Sequence, residues 1–137
     1  MLGPLDHVGY LTDDLDRAVA EFTTRLSLPT ARTLELPQFS IRAVFLGPGS
    51  GCIELFTLTD ERLLAERLGD GGILLDHAAH RVDDIDATVA QLAANGVRFS
   101  GPDRRQEVHE PWTLGAARHI WTIPDSSAGQ SLQIIEL

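Results

Sequence analysis

Two histidines stand in matching surroundings. Residues 5–20 and residues 75–90 both begin Leu-Asp-His. Aligned without a gap at an offset of 70, they share Leu5/Leu75, Asp6/Asp76, His7/His77, Asp13/Asp83, Asp14/Asp84, Asp16/Asp86, Val19/Val89 and Ala20/Ala90, half of the positions. The chain therefore carries two copies of one unit, each with a histidine in its first strand. Imidazole transfers protons near neutral pH and is the commonest metal-binding side chain. Duplication creates a pseudo-twofold axis, and His7 and His77 can meet across it. The chemistry is expected there.

The elements that must position these histidines follow from periodicity and punctuation. The first unit opens with a strand at about 5–11. Asp13 or Asp14 caps a helix whose buried face is Leu15, Val19, Phe22 and Leu26, and Pro29 ends it. Strands follow at about 31–36, 40–47 and 51–58, with Gly-Pro-Gly-Ser-Gly at 47–51 as a hairpin turn. The second unit repeats the order: a strand at 75–82, a helix at 84–95, and strands near 97–100, 117–123 and 130–136. Fold class is thus α+β, a single domain of two tandem βαβββ repeats, about 4–59 and 74–137. A connector at 60–73 joins them and holds a short helix at 61–68. The main departure in the second repeat is the long segment 101–116, with Arg104, Arg105, Glu107, His109, Glu110 and Trp112. Long loops in compact domains are often functional.

Composition narrows the function classes. Of 137 residues, 43% are hydrophobic and 23% charged, ordinary for a globular protein. No apolar run approaches the ~20 residues of a membrane span, and the start lacks the pattern of a signal peptide, so a cytoplasmic location is expected. Net charge is −9 and lysine is absent. An acidic surface repels phosphate backbones and argues against nucleic acid. Arg42, Arg104, Arg105 and Arg118 are the candidates for a local anion site. Cys52, the single cysteine, reads as a small buried filler of its strand.

The paired histidine strands, the Asp-Asp-helix that follows each, and Cys-Ile-Glu-Leu-Phe at 52–56 resemble the vicinal oxygen chelate superfamily. That group includes glyoxalase I, methylmalonyl-CoA epimerase, extradiol dioxygenases and the fosfomycin and bleomycin resistance proteins. The epimerase branch is similar in the order and spacing of Ile41–Leu46, Ile53-Glu54-Leu55, and His77 with Val82-Asp83-Asp84-Ile85. The resemblance implies two βαβββ units whose sheets curl into a cup with helices outside. It also implies four metal ligands from the first and last strands of each unit.

Carried over residue by residue, His7, Glu54 and His77 are three of those ligands. Strand alternation supports Glu54 separately, since Ile53 and Leu55 point under the helix and Glu54 the other way. The fourth is Gln133 or Glu136. They face opposite sides of the last strand. If Glu136 faced the cup, Gln133 would be buried against the helix at about 1–3 kcal/mol unless paired. Gln133 is favoured.

Such a quartet suits one divalent ion, with zinc, nickel, cobalt, manganese and ferrous iron all compatible. The implied activity is a metal-dependent isomerase, epimerase or lyase, acting on a small molecule with vicinal oxygens through a metal-stabilised enolate. The epimerase branch carries a glutamate base where this chain has Gln38, which cannot take a proton. Glu35, Glu107 and His109 are the alternative catalytic bases. His80 reads as structural; His119 and Trp121 share a strand face that parity alone does not orient. The rival function is a non-catalytic binding or resistance protein, with Trp112, Trp121 and Phe39 as stacking surfaces. An extradiol dioxygenase fits less well, and no glutathione-binding residues speak for glyoxalase I. A small-molecule substrate and a second copy of the chain, as a homodimer, are the expected partners.

Overall fold

A computed structural model describes all 137 residues. By its contacts the chain divides into two compact units, His7–Asp76, and Met1–Asp6 together with His77–Leu137. Each boundary falls directly before one of the paired histidines.

In the His7–Asp76 unit, β1 (Leu5–Thr12) is followed by α1 (Leu15–Arg25), β2 (Thr30–Leu36), β3 (Ile41–Leu46), β4 (Ile53–Leu58) and α2 (Glu61–Leu68). The strand order is β2-β3-β4-β1. β1 runs parallel to β4, with Gly9 beside Glu54, and the other pairs are antiparallel. Asp14 caps α1, its Oδ1 accepting the Arg17 N–H at 3.0 Å. An 11-residue helix is marginal alone, so α1 depends on its packing. Leu15 and Ala18 bury against Leu46 and Leu55, with Val19 and Phe22 partly covered. Leu26 departs from the expected face. It lies past the last turn, where its N–H closes on Phe22, and is exposed. The 47–51 turn needs glycine at its end: at Gly51 φ is 96°, and a Cβ would meet the Phe45 Cβ at 2.7 Å. Cys52 corrects the expectation of a buried thiol. It stands exposed where the hairpin closes.

The other unit contains β5 (Ile73–Arg81), α3 (Ile85–Ala94), β6 (Phe99–Ser100), β7 (Glu107–Val108), β8 (Trp112–Leu114), β9 (Ala117–Thr122) and β10 (Leu132–Glu136). The order is β5-β10-β9-β6-β7, with β8 also on β9. The 101–116 segment is therefore more ordered than a loop; it contributes β7 and β8. Asp84 caps α3 as Asp14 caps α1, with Oδ1 accepting the Ala87 N–H at 2.8 Å. Ile85, Val89, Phe99, Ile120 and Ile134 form the core beneath α3. Both units thus show the mixed sheets and helices of an α+β, glyoxalase-like fold.

Candidate metal centre

In the first unit, β1 and β4 lie side by side in parallel, and strand alternation puts His7, Gly9 and Leu11 on one face with Glu54, Phe56 and Leu58. Leu55 takes the opposite face, against α1. His7 Nε2 lies 3.2 Å from Glu54 Oε2. Both residues are buried, at 3% and 8% exposure. Burying a carboxylate costs several kcal/mol unless charge or hydrogen bonds compensate, and the His7 imidazole lies within reach of this one. The Phe45 ring meets His7 edge-on, 5.3 Å between centroids, and fixes its plane. Arg32 covers the Phe45 ring at 3.7 Å.

In the second unit, β10 lies parallel to β5 with Gln133 beside Ala79, and antiparallel to β9 with Gln133 opposite Trp121. His77, Ala79, Gln133, His119 and Trp121 consequently share one face. Ile120 and Ile134 take the other, under α3. His77 and Gln133 are buried. The Gln133 amide N–H donates to His119 Nδ1 at 3.1 Å, and its Oε1 is buried without a hydrogen-bond partner. The guanidinium of Arg104 donates to Ser131 Oγ. Its Nη2 lies 3.4 Å from His77 Nδ1, and it stacks 5.3 Å from the Trp121 ring centroid. His119 stacks on Trp121 and tilts against Trp112, forming an aromatic wall.

Glu136 lies on the helix side. Its Oε2 accepts the Ile85 N–H at 2.8 Å, at the start of α3, and its Oε1 is 3.6 Å from Arg118. Arg118 also donates twice to Asp86, at 2.7 and 2.8 Å. Those hydrogen bonds, with the guanidinium charge, hold Asp86 below the usual carboxylate range, and the same bonds push Arg118 upward.

Glu35 is 69% exposed and 3.7 Å from Arg42, on the α1 side of the sheet, away from His7 and Glu54. Glu107 and His109 are exposed and line a shallow cleft of about 330 Å³ along α3, with Glu107 3.5 Å from Arg98. His80 Nδ1 is 2.9 Å from the Gly3 carbonyl oxygen, tying the chain start to β5. Gln38 is exposed, in a turn of 3-10 helix at Pro37–Phe39. Sequence reasoning missed the Gln133–His119 bond and the placement of Arg104 against His77. The alternation of His119 with Trp121 hinted at the first. Nothing local marked the second beyond Arg104's inclusion among the anion-site candidates.

The family model for the Glyoxalase/Bleomycin resistance protein/Dioxygenase superfamily matches residues 6–112. The chain belongs to this superfamily. No curated protein sequence matches it significantly. Among solved structures it is similar to methylmalonyl-CoA epimerase from Mycobacterium tuberculosis, at 25% identity over 98% of this chain and 88% of that one, with a TM-score of 0.82. The hypothetical protein BH1468 from Bacillus halodurans C-125 superposes with the same score, at 23% identity over 98% of this chain and 94% of that one. A Streptomyces coelicolor methylmalonyl-CoA epimerase variant, bound to 2-nitronate-propionyl-CoA, has a TM-score of 0.79 at 22% identity over 99% of this chain and 98% of that one. The last two likenesses concern the fold. His7 and Glu54 in one unit and His77 in the other are all buried, and each is of a type that binds metal ions. No helix is long and apolar enough to cross a membrane.

Proposed function

We propose that this chain is a divalent-metal-dependent isomerase, epimerase or lyase for a small molecule with adjacent oxygens. The observation that carries the reading is the buried contact between His7 Nε2 and Glu54 Oε2, which closely spaces an imidazole and a carboxylate where a cation would reconcile both. His7, Glu54, His77 and Gln133 would hold the ion. The donor set fits: two imidazoles, one carboxylate and one amide oxygen suit a borderline divalent metal. The unsatisfied Gln133 Oε1 supports its place in that set, because a buried acceptor without a partner costs about 1–3 kcal/mol. When bound, the ion supplies Lewis-acid stabilisation for negative charge developing on a substrate oxygen. With Glu54 as the one anionic ligand, the site keeps a net positive charge to meet it.

The residues contribute the rest. Phe45 holds the plane of His7, and His119 holds the Gln133 amide by its nitrogen. The aromatic wall of Trp112, His119 and Trp121 limits water around the reacting carbon. In the reaction, a C–H bond beside a carbonyl breaks, the proton passes to a base, and a proton returns to the same or a neighbouring atom. The similarity to the Mycobacterium tuberculosis methylmalonyl-CoA epimerase supports this class. A cytoplasmic homodimer is the proposed setting.

Incubating the metal-loaded protein with a 2-oxo acid or thioester panel in heavy water tests the proposal. Metal-dependent deuterium incorporation beside the carbonyl is expected. Neither exchange nor turnover in any metal-loaded sample, with tight ligand binding, would support the second reading, sequestration of an aromatic compound. The stacked Trp121–His119 wall and Gln38 in the usual place of the base favour that reading.

A further inference from the structure

Three buried polar side chains stand in a row across the sheet of the second unit. Gln133 on β10 pairs with Trp121 on β9, and Trp121 pairs with Ser100 on β6. Residues opposite one another in an antiparallel ladder share a face, with Cβ atoms about 4.5–5.5 Å apart. Here it is the face away from α3, since the neighbours Ile134, Ile120 and Phe99 pack beneath that helix. Gln133, Trp121 and Ser100 are 6%, 8% and 3% exposed. Polar groups so deep are normally satisfied within the fold. The indole N–H of Trp121 is buried and has no hydrogen-bond partner. Its ring is nonetheless well held. It lies within 16° of parallel to His119, centroids 6.1 Å apart, and the Arg104 guanidinium is 5.3 Å from its centroid. Phenylalanine would fill the same wall without leaving a buried donor, so it is the nitrogen that calls for a partner from outside the fold. Gln133 has its place in the metal set proposed above; Trp121 has none.

We propose that Trp121 is a specificity-determining residue, its indole N–H donating, with the Ser100 hydroxyl beside it, to a carbonyl oxygen of the substrate. An indole nitrogen donates only, whereas a hydroxyl donates or accepts. A carbonyl oxygen has two lone pairs and takes both donors, while an ammonium group offers the indole nothing. The substrate class is then a ketone or other acyl compound, its carbonyl carried on a planar body that lies along the His119–Trp121 stack. This rests on the small-molecule reading above, and every residue it uses belongs to one unit.

Acetophenone and ethylbenzene provide the test. They share a ring and a chain length and differ in one carbonyl oxygen. The chain has two tryptophans, so an isotope-labelled sample shows two indole N–H signals in proton–nitrogen correlation spectra, and Trp112→Phe assigns them. Each compound is titrated into the native chain and into Trp121→Phe, with zinc and after chelation. Affinities come from the amide signals of the same titrations, and zinc content from elemental analysis of the same samples. Acetophenone should move the Trp121 indole proton downfield, and ethylbenzene should not. Trp121→Phe should weaken acetophenone about 3–10-fold, the span of a neutral hydrogen bond, and leave ethylbenzene unchanged. Acetophenone that fails to bind the native chain, or binds without the downfield shift, overturns the proposal whether or not the variant folds. So does equal acetophenone affinity in the native chain and Trp121→Phe. A chain that takes up no zinc yet shows the shift loses the metal reading and keeps the carbonyl site. Zinc uptake without the shift does the reverse.

Discussion

Glu54 and Gln133 occupy the same station in the two repeats. Glu54 lies beside Gly9 across the β1–β4 pair, and Gln133 beside Ala79 across the β5–β10 pair. Gly9 and Ala79 each follow a paired histidine by two residues, on the same strand face. Glu54 and Gln133 are nevertheless 79 residues apart where the histidines are 70 apart. The difference lies in the longer 101–116 segment of the second repeat. The two halves thus offer the same two positions, filled by His7 and Glu54 in one and His77 and Gln133 in the other.

Metal content follows from that set. The purified chain, incubated with zinc, nickel, cobalt or manganese and then desalted, should hold close to one ion per chain. His7→Ala or His77→Ala should lose it. Elemental analysis decides, and a metal-free native chain in all four cases would sink the enzyme reading.

The last strand separates ligand from scaffold. Gln133→Ala should weaken metal binding about 10–100-fold, as read by competitive titration. Glu136→Ala should leave metal affinity unchanged and lower stability by roughly 1 kcal/mol, because it removes the acceptor of the Ile85 N–H. The opposite ranking would place Glu136 in the metal's shell.

Proton transfer is tested at the three carboxylate and imidazole candidates. A positioned base contributes about 10²–10⁴-fold. Glu35 faces the α1 side and Glu107 and His109 line the α3 cleft, so Glu35→Gln, Glu107→Gln and His109→Gln should each keep most of the exchange rate. A loss of about 100-fold or more in one of them would identify it as the base.

The duplicated helix caps should behave alike. Asp14→Ala and Asp84→Ala should each cost about 1 kcal/mol, while Asn at either place should restore most of it. Denaturant midpoints measure this, and a null effect at one cap would show that the repeats differ in what anchors their helices.

One surface pair gives stability a pH dependence. Asp86 is held below its ordinary range by Arg118. A depressed carboxylate stabilises the fold above its unfolded value, about 3.9, and the contribution is lost as pH falls through the folded value. Asp86→Asn should therefore lower the melting temperature slightly at pH 7, with the gap closing toward about pH 2. The pair is solvent-exposed, so the gap should also shrink with added salt.

Much of this arrangement is legible in the chain itself. The Leu-Asp-His repeat locates both histidine strands, and Asp14 and Asp84 start both helices because each side chain accepts a helix N–H. Alternation also separates Glu54 from Leu55 and Gln133 from Ile134. Other features depend on contacts distant in sequence. Cys52 sits among strand-like residues yet emerges exposed, because the hairpin closes at that point. Leu26 keeps helical spacing, but α1 ends at Arg25, one residue too early to bury it. The 101–116 segment has no periodicity to betray β7 and β8, which form because β6 and β9 offer open strand edges. Arg104 reaches His77 through a left-handed turn that nothing in its neighbours requires.

The exposed Cys52 makes the chain convenient for spectroscopy. It is the sole thiol, and with no lysine in the sequence a thiol-reactive dye or spin label attaches at one side chain. Its carbonyl accepts the Val8 N–H at 3.1 Å, directly after His7. A probe there is anchored one residue from the histidine yet extends into solvent. Paramagnetic ions such as manganese or cobalt at His7 would then broaden or quench the label's signal, reporting occupancy without a substrate.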